Sequence, residues 1–378
     1  MIRWIQTRLV IEKPDTHYKY YPQVVSARTQ KSAPFSISYA EIEIISNVSG
    51  STSTSVSQVR FNDIVRLQVS IKMNPNEKTV WQDLFSGRIV DSYAKYGSMT
   101  DDMVLYCQGH EAEAETALIE ETYSYSSSTD VTAVFSYFSK YLSNLTFSAD
   151  YADTGILFPT YDSTANQTYI SDLFSDAEKV SGYDWIVKAI PVYSNKNLSA
   201  VYIGWNQFSQ TVTNKYKIIE GTSRVLSTDF SVEGKGVRTA YRVEGDECTG
   251  YDFDPALTAL YGTRTDVTNQ SWVKSEDLAE SIAEGVLDEI KTPKVSGQVT
   301  LIGTPDAEIG DLVYCKCPSQ ELNGSSVEDN FSVYRVEHTI LGNEFLTTLD
   351  LDKVRKTEYD FYADNVKNVK TCMKNQVN

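Results

Sequence analysis

Three groups of residues bring together side chains that could do chemistry. Cys315 and Cys317 flank Lys316, and two thiolates could supply half of a tetrahedral zinc site. At i and i+2 on a strand, however, both side chains simply face one way. The five cysteines, Cys107, Cys248, Cys315, Cys317 and Cys372, have no framework spacing, and only His17, His110 and His338 could complete a ligand set. A buried pair of small apolar side chains is the better reading. Asp150, Asp153 and Asp162 form a second group, since glycoside hydrolysis needs only two carboxyl groups about 5 to 10 Å apart. Tyr151, Phe158 and Tyr161 would suit a carbohydrate-binding surface equally well, and a solvated acidic loop is the default for such a segment. The third group, Asp246-Glu247-Cys248-Thr249-Gly250-Tyr251-Asp252-Phe253-Asp254, offers oxygen ligands for Ca²⁺ but lacks the order of a calcium loop, and reads as a connector.

Nucleophilic catalysis of the Ser/His/acid kind needs a base. Of the histidines, His338 shares the inward register of Val336 and Ile340 and reads as structural. There is no Gly-x-Ser-x-Gly elbow and no P-loop. Glu233-Gly234-Lys235-Gly236 is glycine-rich, but it joins two strands as a hairpin turn instead of opening a helix, which argues against a phosphate cradle. No catalytic, cofactor-binding or metal residue is assigned, no cofactor is expected, and the chain reads as a non-enzyme.

Composition points the same way. With 51 Asp and Glu against 34 Lys and Arg, the net charge of −17 has the wrong sign for a protein that grips nucleic acid. The 25 tyrosines and a 12% aromatic content suit a strand-rich globular protein. A length of 378 residues allows two to four domains. Met1 to Val10 alternates and carries Arg3 and Arg8, which reads as a first strand and not as a signal peptide. No stretch approaches the ~18 to 20 apolar residues of a membrane helix, so a soluble chain without a membrane anchor, made in a reducing cytoplasm, is expected.

The elements that would position these residues follow from periodicity. In Ile64–Lys72, Val65, Leu67, Val69 and Ile71 alternate with Arg66, Gln68, Ser70 and Lys72, the pattern of a strand with one wet face. Phe35–Ile45 behaves similarly, and Ser46–Ser57 reads as a loop. Helical spacing governs residues 129–142 and about 168–180, then strands return at 184–190, 198–205, 224–232 and 237–244. A long amphipathic helix is predicted over Ser275–Lys291, capped by Ser275 and stopped before Pro293. From Lys294 to Leu351 the pattern is all strand, and Lys353–Asn378 reads as a short terminal helix or a segment ordered by a partner.

One β-pattern occurs twice. Asn62-Asp63-Ile64-Val65, Phe85-Ser86-Gly87-Arg88-Ile89-Val90-Asp91 and Met103-Val104-Leu105-Tyr106-Cys107 are followed, about 250 residues later, by Gly310-Asp311-Leu312-Val313, Phe331-Ser332-Val333-Tyr334-Arg335-Val336-Glu337 and Phe345-Leu346-Thr347-Thr348-Leu349. The predicted fold is α+β, mainly β, with two β-barrel domains flanking a mixed α/β middle region. The boundaries are 1–110 for the first barrel, 111–250 for the middle, 251–292 for a connector with the long helix, 293–355 for the second barrel and 356–378 for the tail.

The run Tyr261-Gly262-Thr263-Arg264, the Ser275–Lys291 helix, Gly303-Thr304-Pro305-Asp306-Ala307-Glu308-Ile309-Gly310-Asp311-Leu312-Val313, Tyr334-Arg335-Val336-Glu337-His338-Thr339-Ile340 and Thr347-Thr348-Leu349-Asp350-Leu351 resembles phage tail baseplate hub proteins. Ser181-Gly182-Tyr183-Asp184-Trp185 is similar to the middle of that family, and Phe85–Val90 with Leu105–Gly109 to its first barrel. The likeness extends to other contractile injection machines and to the tips of non-contractile tails. It implies a virion baseplate protein, a homotrimer whose two barrels per chain are tube-type β-barrel domains and form a pseudo-sixfold ring joining a sixfold tail tube to a threefold spike. Implied partners are the tail tube or distal tail protein, the central spike, the tape measure and other baseplate proteins, with DNA passing the channel unbound. The alternatives are a carbohydrate-binding tail-tip protein or a cell-wall polysaccharide hydrolase.

Overall fold

The computed structural model describes residues 4–16, 18–32, 37–45, 59–72, 74, 76–96, 101–125, 140–142, 145–147, 161–163, 167–174, 184–189, 201–206, 215–222, 224–245, 247–269, 273, 275–322 and 325–352. Strands dominate. The first set is β1 (Trp4–Glu12), β2 (Lys19–Tyr20), β3 (Val24–Ser32), β4 (Tyr39–Ile45), β5 (Ile64–Lys72), β6 (Gln82–Tyr96) and β7 (Asp101–Gly109), followed by the short helix α1 (Ala112–Thr116). The middle holds β8 (Tyr123–Tyr125), β9 (Leu145–Phe147), β10 (Tyr161–Ser163), β11 (Asp184–Ala189) and β12 (Val201–Asn206). Then come β13 (Tyr216–Ile219), β14 (Val225–Glu233), β15 (Ala240–Glu244), β16 (Thr249–Phe253), α2 (Pro255–Tyr261), β17 (Thr265–Asn269), α3 (Glu276–Ile290), β18 (Lys294–Ile302), β19 (Leu312–Leu322), β20 (Ser325–Leu341) and β21 (Glu344–Asp352).

Thirteen strands share one sheet, ordered β14-β18-β21-β20-β3-β4-β7-β6-β5-β1-β2, with β19 on β20 and β13 on β19. Its two halves repeat. The first unit runs β1-β5-β6-β7-β4-β3 and the second β13-β19-β20-β21-β18-β14. One departure is that β13 lies parallel to β19, whereas β1 is antiparallel to β5. The repeated sequence pattern has a physical basis in the turn that opens β5 and β19. Asn62 and Gly310 take positive φ, 71° and 82°, which Gly and Asn tolerate best. The aspartate that follows accepts from the N–H three residues earlier, Arg60 to Asp63 at 2.9 Å and Glu308 to Asp311 at 2.7 Å. Asn62 N–H then donates to Ile89 O at 2.8 Å, and Gly310 N–H to Val333 O at 2.7 Å. Bulges also recur at matching places, between Ile89 and Asp91 and between Val333 and Arg335 on β6 and β20, and between Val24 and Ser26 and between Val225 and Ser227 on β3 and β14.

Two separate closed barrels are not what the strand pairing forms. Among the described residues neither unit closes on itself by backbone hydrogen bonds; each is a curled section of the common sheet. The second unit also reaches further back than residue 293, because β13 and β14 belong to it. The hairpin expected across Glu233–Gly236 is therefore absent. β14 carries Phe230 into the second core, over Gly297, where an added Cβ would lie 2.3 Å from the Phe230 ring. β15 instead pairs with β16 and β17, and Tyr241 and Val243 pack under α3. The acidic run read as a connector forms β16 and the cap of α2, and the boundary expected at 250 falls inside the β15–β16 hairpin.

α3 forms for the reasons its sequence states. Ser275 Oγ accepts from Leu278 N–H at 3.3 Å, and Ala279, Ile282, Ala283, Val286 and Leu287 line the buried face. Ser275→Ala is expected to lower stability by about 1 kcal/mol, read as a shift of the urea midpoint at unchanged slope. The wet face expected on β5 is covered: Gln68, Ser70 and Lys72 are buried along with Val65, Leu67 and Val69. Gln68 is satisfied by Arg8 Nε at 2.8 Å and by Asp83 Oδ1 at 2.6 Å, as burial of an amide requires.

In the middle, β11 and β12 pair antiparallel as expected, with β9 parallel to β12. The helix expected over 129–142 lies largely outside the described residues. Of the one over 168–180, residues 170–174 are helical, with Ile170, Leu173 and Phe174 buried. Ser46–Ser57 and 353–378 lie outside the described residues. No described helix is long and apolar enough to cross a membrane.

Candidate assembly interface

The two units meet at β3 and β20, paired antiparallel from Arg335 opposite Ser32 to Leu341 opposite Ser26. The inner face is apolar. Ala27, Val336 and Ile340 are buried there, and Ile340 and Phe345 belong to the core of the first unit, so one core runs through the joint. His338 is buried between them, its Nδ1 3.1 Å from Thr347 Oγ1 and its ring 5.5 Å from that of Phe345. Burial, with the nearby Lys31 charge second, lowers its pKa to about 3, so the imidazole is neutral. The outer face is ionic. Arg28 grips Glu337 with two bonds of 2.8 and 2.9 Å, and Arg335 reaches Gln30 at 2.7 Å and Glu337 at 3.0 Å. Arg28 is half exposed, so this clamp fixes register more than it adds stability.

Among the described residues, two further edges correspond to the two sides of this joint and carry no strand. β20 is longer than its partner β19: past Ser332 its edge is taken over by β3. β6 is built the same way. Its residues up to Arg88 pair with β5, and Asn62 and Asp63 bond to Ile89, but among the described residues only β7 pairs with Val90 to Tyr96. The difference is visible in burial. Val336 and His338 on β20 are buried, whereas Asp91, Ser92, Tyr93 and Ala94 on β6 are all exposed, Tyr93 by 42%. Among the described residues β14, the counterpart of β3, pairs on one side only, with β18.

The residues singled out for chemistry are dispersed. Cys315 and Cys317 are buried with Val313, Val327 and Phe331, and burial pushes both thiols up. Among the described residues no three metal-ligating side chains converge. Asp254 accepts from Leu257 N–H at 2.9 Å and caps α2. Asp150, Asp153, Tyr151, Phe158, Asp246 and His17 lie outside the described residues; Tyr161 and Asp162 are in β10, whose backbone pairs with β8.

One polar cluster escaped the sequence reading. His110 Nε2 lies 3.1 Å from Ser86 Oγ, and burial, helped by Arg88 and Arg66, lowers the imidazole to about 4. The adjacent Glu111 turns away from this pair, accepting from Ser38 N–H at 2.5 Å and from the Ser38 hydroxyl. Burial raises its pKa while those bonds oppose the rise. The carboxylate is thus committed to bracing the end of β7 and not to orienting the imidazole as a triad would need. In sequence, Gln108-Gly109-His110-Glu111 looks like the polar exit of a strand, and nothing local signals its burial.

No protein-family model and no curated protein matches the sequence. Solved structures do. The prophage MuSo2 43 kDa tail protein from Shewanella oneidensis superposes with a TM-score of 0.63 at 10% identity, covering 94% of this chain and 99% of that one. A tail protein from Neisseria meningitidis MC58 gives 0.62 at 9% identity, covering 95% and 99%. A chain of the Francisella PdpA–VgrG complex gives 0.58 at 9% identity, covering 93% of this chain and 53% of that one. Over nearly its whole length, the chain carries the fold of these phage tail proteins.

Proposed function

We propose that this chain is a structural hub of a phage tail baseplate, a homotrimer whose two β-units per chain make a pseudo-sixfold ring between the sixfold tail tube and the threefold spike. The observation that carries this reading is the repeated strand order within one chain, β1-β5-β6-β7-β4-β3 and β13-β19-β20-β21-β18-β14, joined laterally through β3 and β20. Three copies of two such units offer six near-equivalent positions about one axis. In this reading each unit is one segment of a β-barrel-like wall, and the chain works mechanically, without catalysis, in the virion. Its partners are the tail tube or distal tail protein, the central spike, the tape measure and neighbouring baseplate proteins. The fold shared with a chain of the PdpA–VgrG complex supports a place among partner chains. A net charge of −17 suits a channel wall that repels phosphate and keeps DNA moving. Light scattering at micromolar concentration is expected to give three times the mass of the chain, and images a ring; a single-chain mass would overturn the reading.

A further inference from the structure

The internal joint between the units specifies how a second joint can form between chains. Equivalent positions follow from hydrogen bonding: Ile89 and Val333 each receive the same turn from Asn62-Asp63 and Gly310-Asp311. The bulge after each then sets Asp91 equivalent to Arg335, Ser92 to Val336, Tyr93 to Glu337 and Ala94 to His338. On the other side, Thr29 faces Ala40 as Phe230 faces Gly297, and Gln30 faces Tyr39 as Ser231 faces Ser296. β14 is therefore to the second unit what β3 is to the first.

Within one chain β3 fills the upper edge of β20, while among the described residues β6 has no such strand and β14 no such acceptor. We infer that in the assembled ring β14 of one copy pairs antiparallel with the open edge of β6 in the next copy, reproducing between chains the β3–β20 joint. The inference rests on the ring reading and adds to it the strands and their register. Transferring the internal register, with Lys31 opposite Val336, Gln30 opposite Glu337 and Thr29 opposite His338, places Val232 opposite Ser92, Ser231 opposite Tyr93 and Phe230 opposite Ala94. Gln320 Nε2 already bonds the Thr228 carbonyl at 3.4 Å, which confines the available part of β14 to the residues beyond it. An acceptor edge on one unit and a donor strand on the other make a head-to-tail contact, the kind that closes a ring when the rotation fits. The same pairing explains why a strand as long as β6 keeps an edge that would otherwise invite indiscriminate pairing.

The test is disulfide trapping in the full chain. Ser92→Cys with Val232→Cys, and Tyr93→Cys with Ser231→Cys, place thiols at adjacent register pairs. One of the two falls at a non-hydrogen-bonded position, where Cα atoms are about 4.5 Å apart, within disulfide reach. After mild oxidation, that pair is expected to move the band on a non-reducing gel from one chain's mass to three, while each single variant stays at one. Cys107, Cys315 and Cys317 are buried, and Cys248 is half-buried, so the single variants also report any link to native thiols. A trimer by light scattering that neither pair traps would overturn the strand pairing and leave the ring intact. A single-chain mass would overturn both.

Discussion

Lowering the pH is expected to destabilise this chain steeply, and His338 is the main reason. Its imidazole titrates near 6.5 when unfolded but at about 3 when folded, because burial penalises the cation. Above pH 6.5 neither state holds the proton and stability is unaffected. As pH falls through 6.5 the unfolded chain binds a proton that the folded chain refuses until about 3, so stability drains across that window, by roughly 3 to 5 kcal/mol in all. His110, at about 4 when folded, acts in the same direction over a shorter range. Glu111 acts oppositely, since a raised folded pKa makes the folded state the better proton binder. The check is a series of urea midpoints from about pH 7 to about pH 4 for the native chain and for His338→Gln. The variant should lose about 3 kcal/mol less over that range, and equal losses would show that His338 is not held neutral in the fold. Because His338 sits on the β3–β20 joint, separation of the two units should accompany the loss.

Replacing Gly87 by valine is expected to prevent stable folding. Gly87 lies on β6 opposite Gly109 of β7, and a Cβ added there would stand 2.0 Å from the Gln108 carbonyl oxygen and 2.7 Å from Phe85 Cζ. The carbonyl belongs to a backbone that cannot swing aside, and Phe85 is buried at 1% exposure. Relief requires parting two strands in the middle of the first core, at a cost of about 3 kcal/mol or more. Gly234, which has nothing within 4 Å of its would-be Cβ, provides the comparison: Gly234→Ala should leave the melting temperature nearly unchanged. Soluble, cooperatively melting Gly87→Val protein with a native midpoint would contradict this account of the strand crossing.

What could be read from the sequence was local. The repeated turn, aspartate and apolar pair was visible because each residue has its own job within three or four positions: positive φ at Asn62 and Gly310, a side-chain bond at Asp63 and Asp311. The α3 helix was visible for the same reason, with its cap, stripe and stop all within one segment. The partners of β14 were not, since β18 lies beyond an intervening α/β unit and the glycine-rich turn after Glu233 mimics a hairpin. Nor could alternation tell that the polar face of β5 is covered, because Gln68 is buried by groups from β1 and β6 that no local pattern names. The open edge of β6 is hidden for a related reason: Asp91-Ser92-Tyr93-Ala94 alternates no differently from a paired strand, and only the extents of β5 and β3 show which edge is free.

The joint between β3 and β20 also sets a clock. Arg28 and Glu337, which clamp it, are 309 residues apart. At about 5 to 20 residues per second, roughly 15 to 60 s of synthesis separates the two strands. For that interval the first unit is on the ribosome with its core still missing Ile340 and Phe345 and with the outer edge of β3 bare. Such long-range closure slows folding, and a bare strand on a crowded polysome is where nascent neighbours would pair wrongly. Strands made long after the first unit, β20 and β21, are thus the ones that complete it, and a chain truncated before them would leave the ribosome with that unit unsealed.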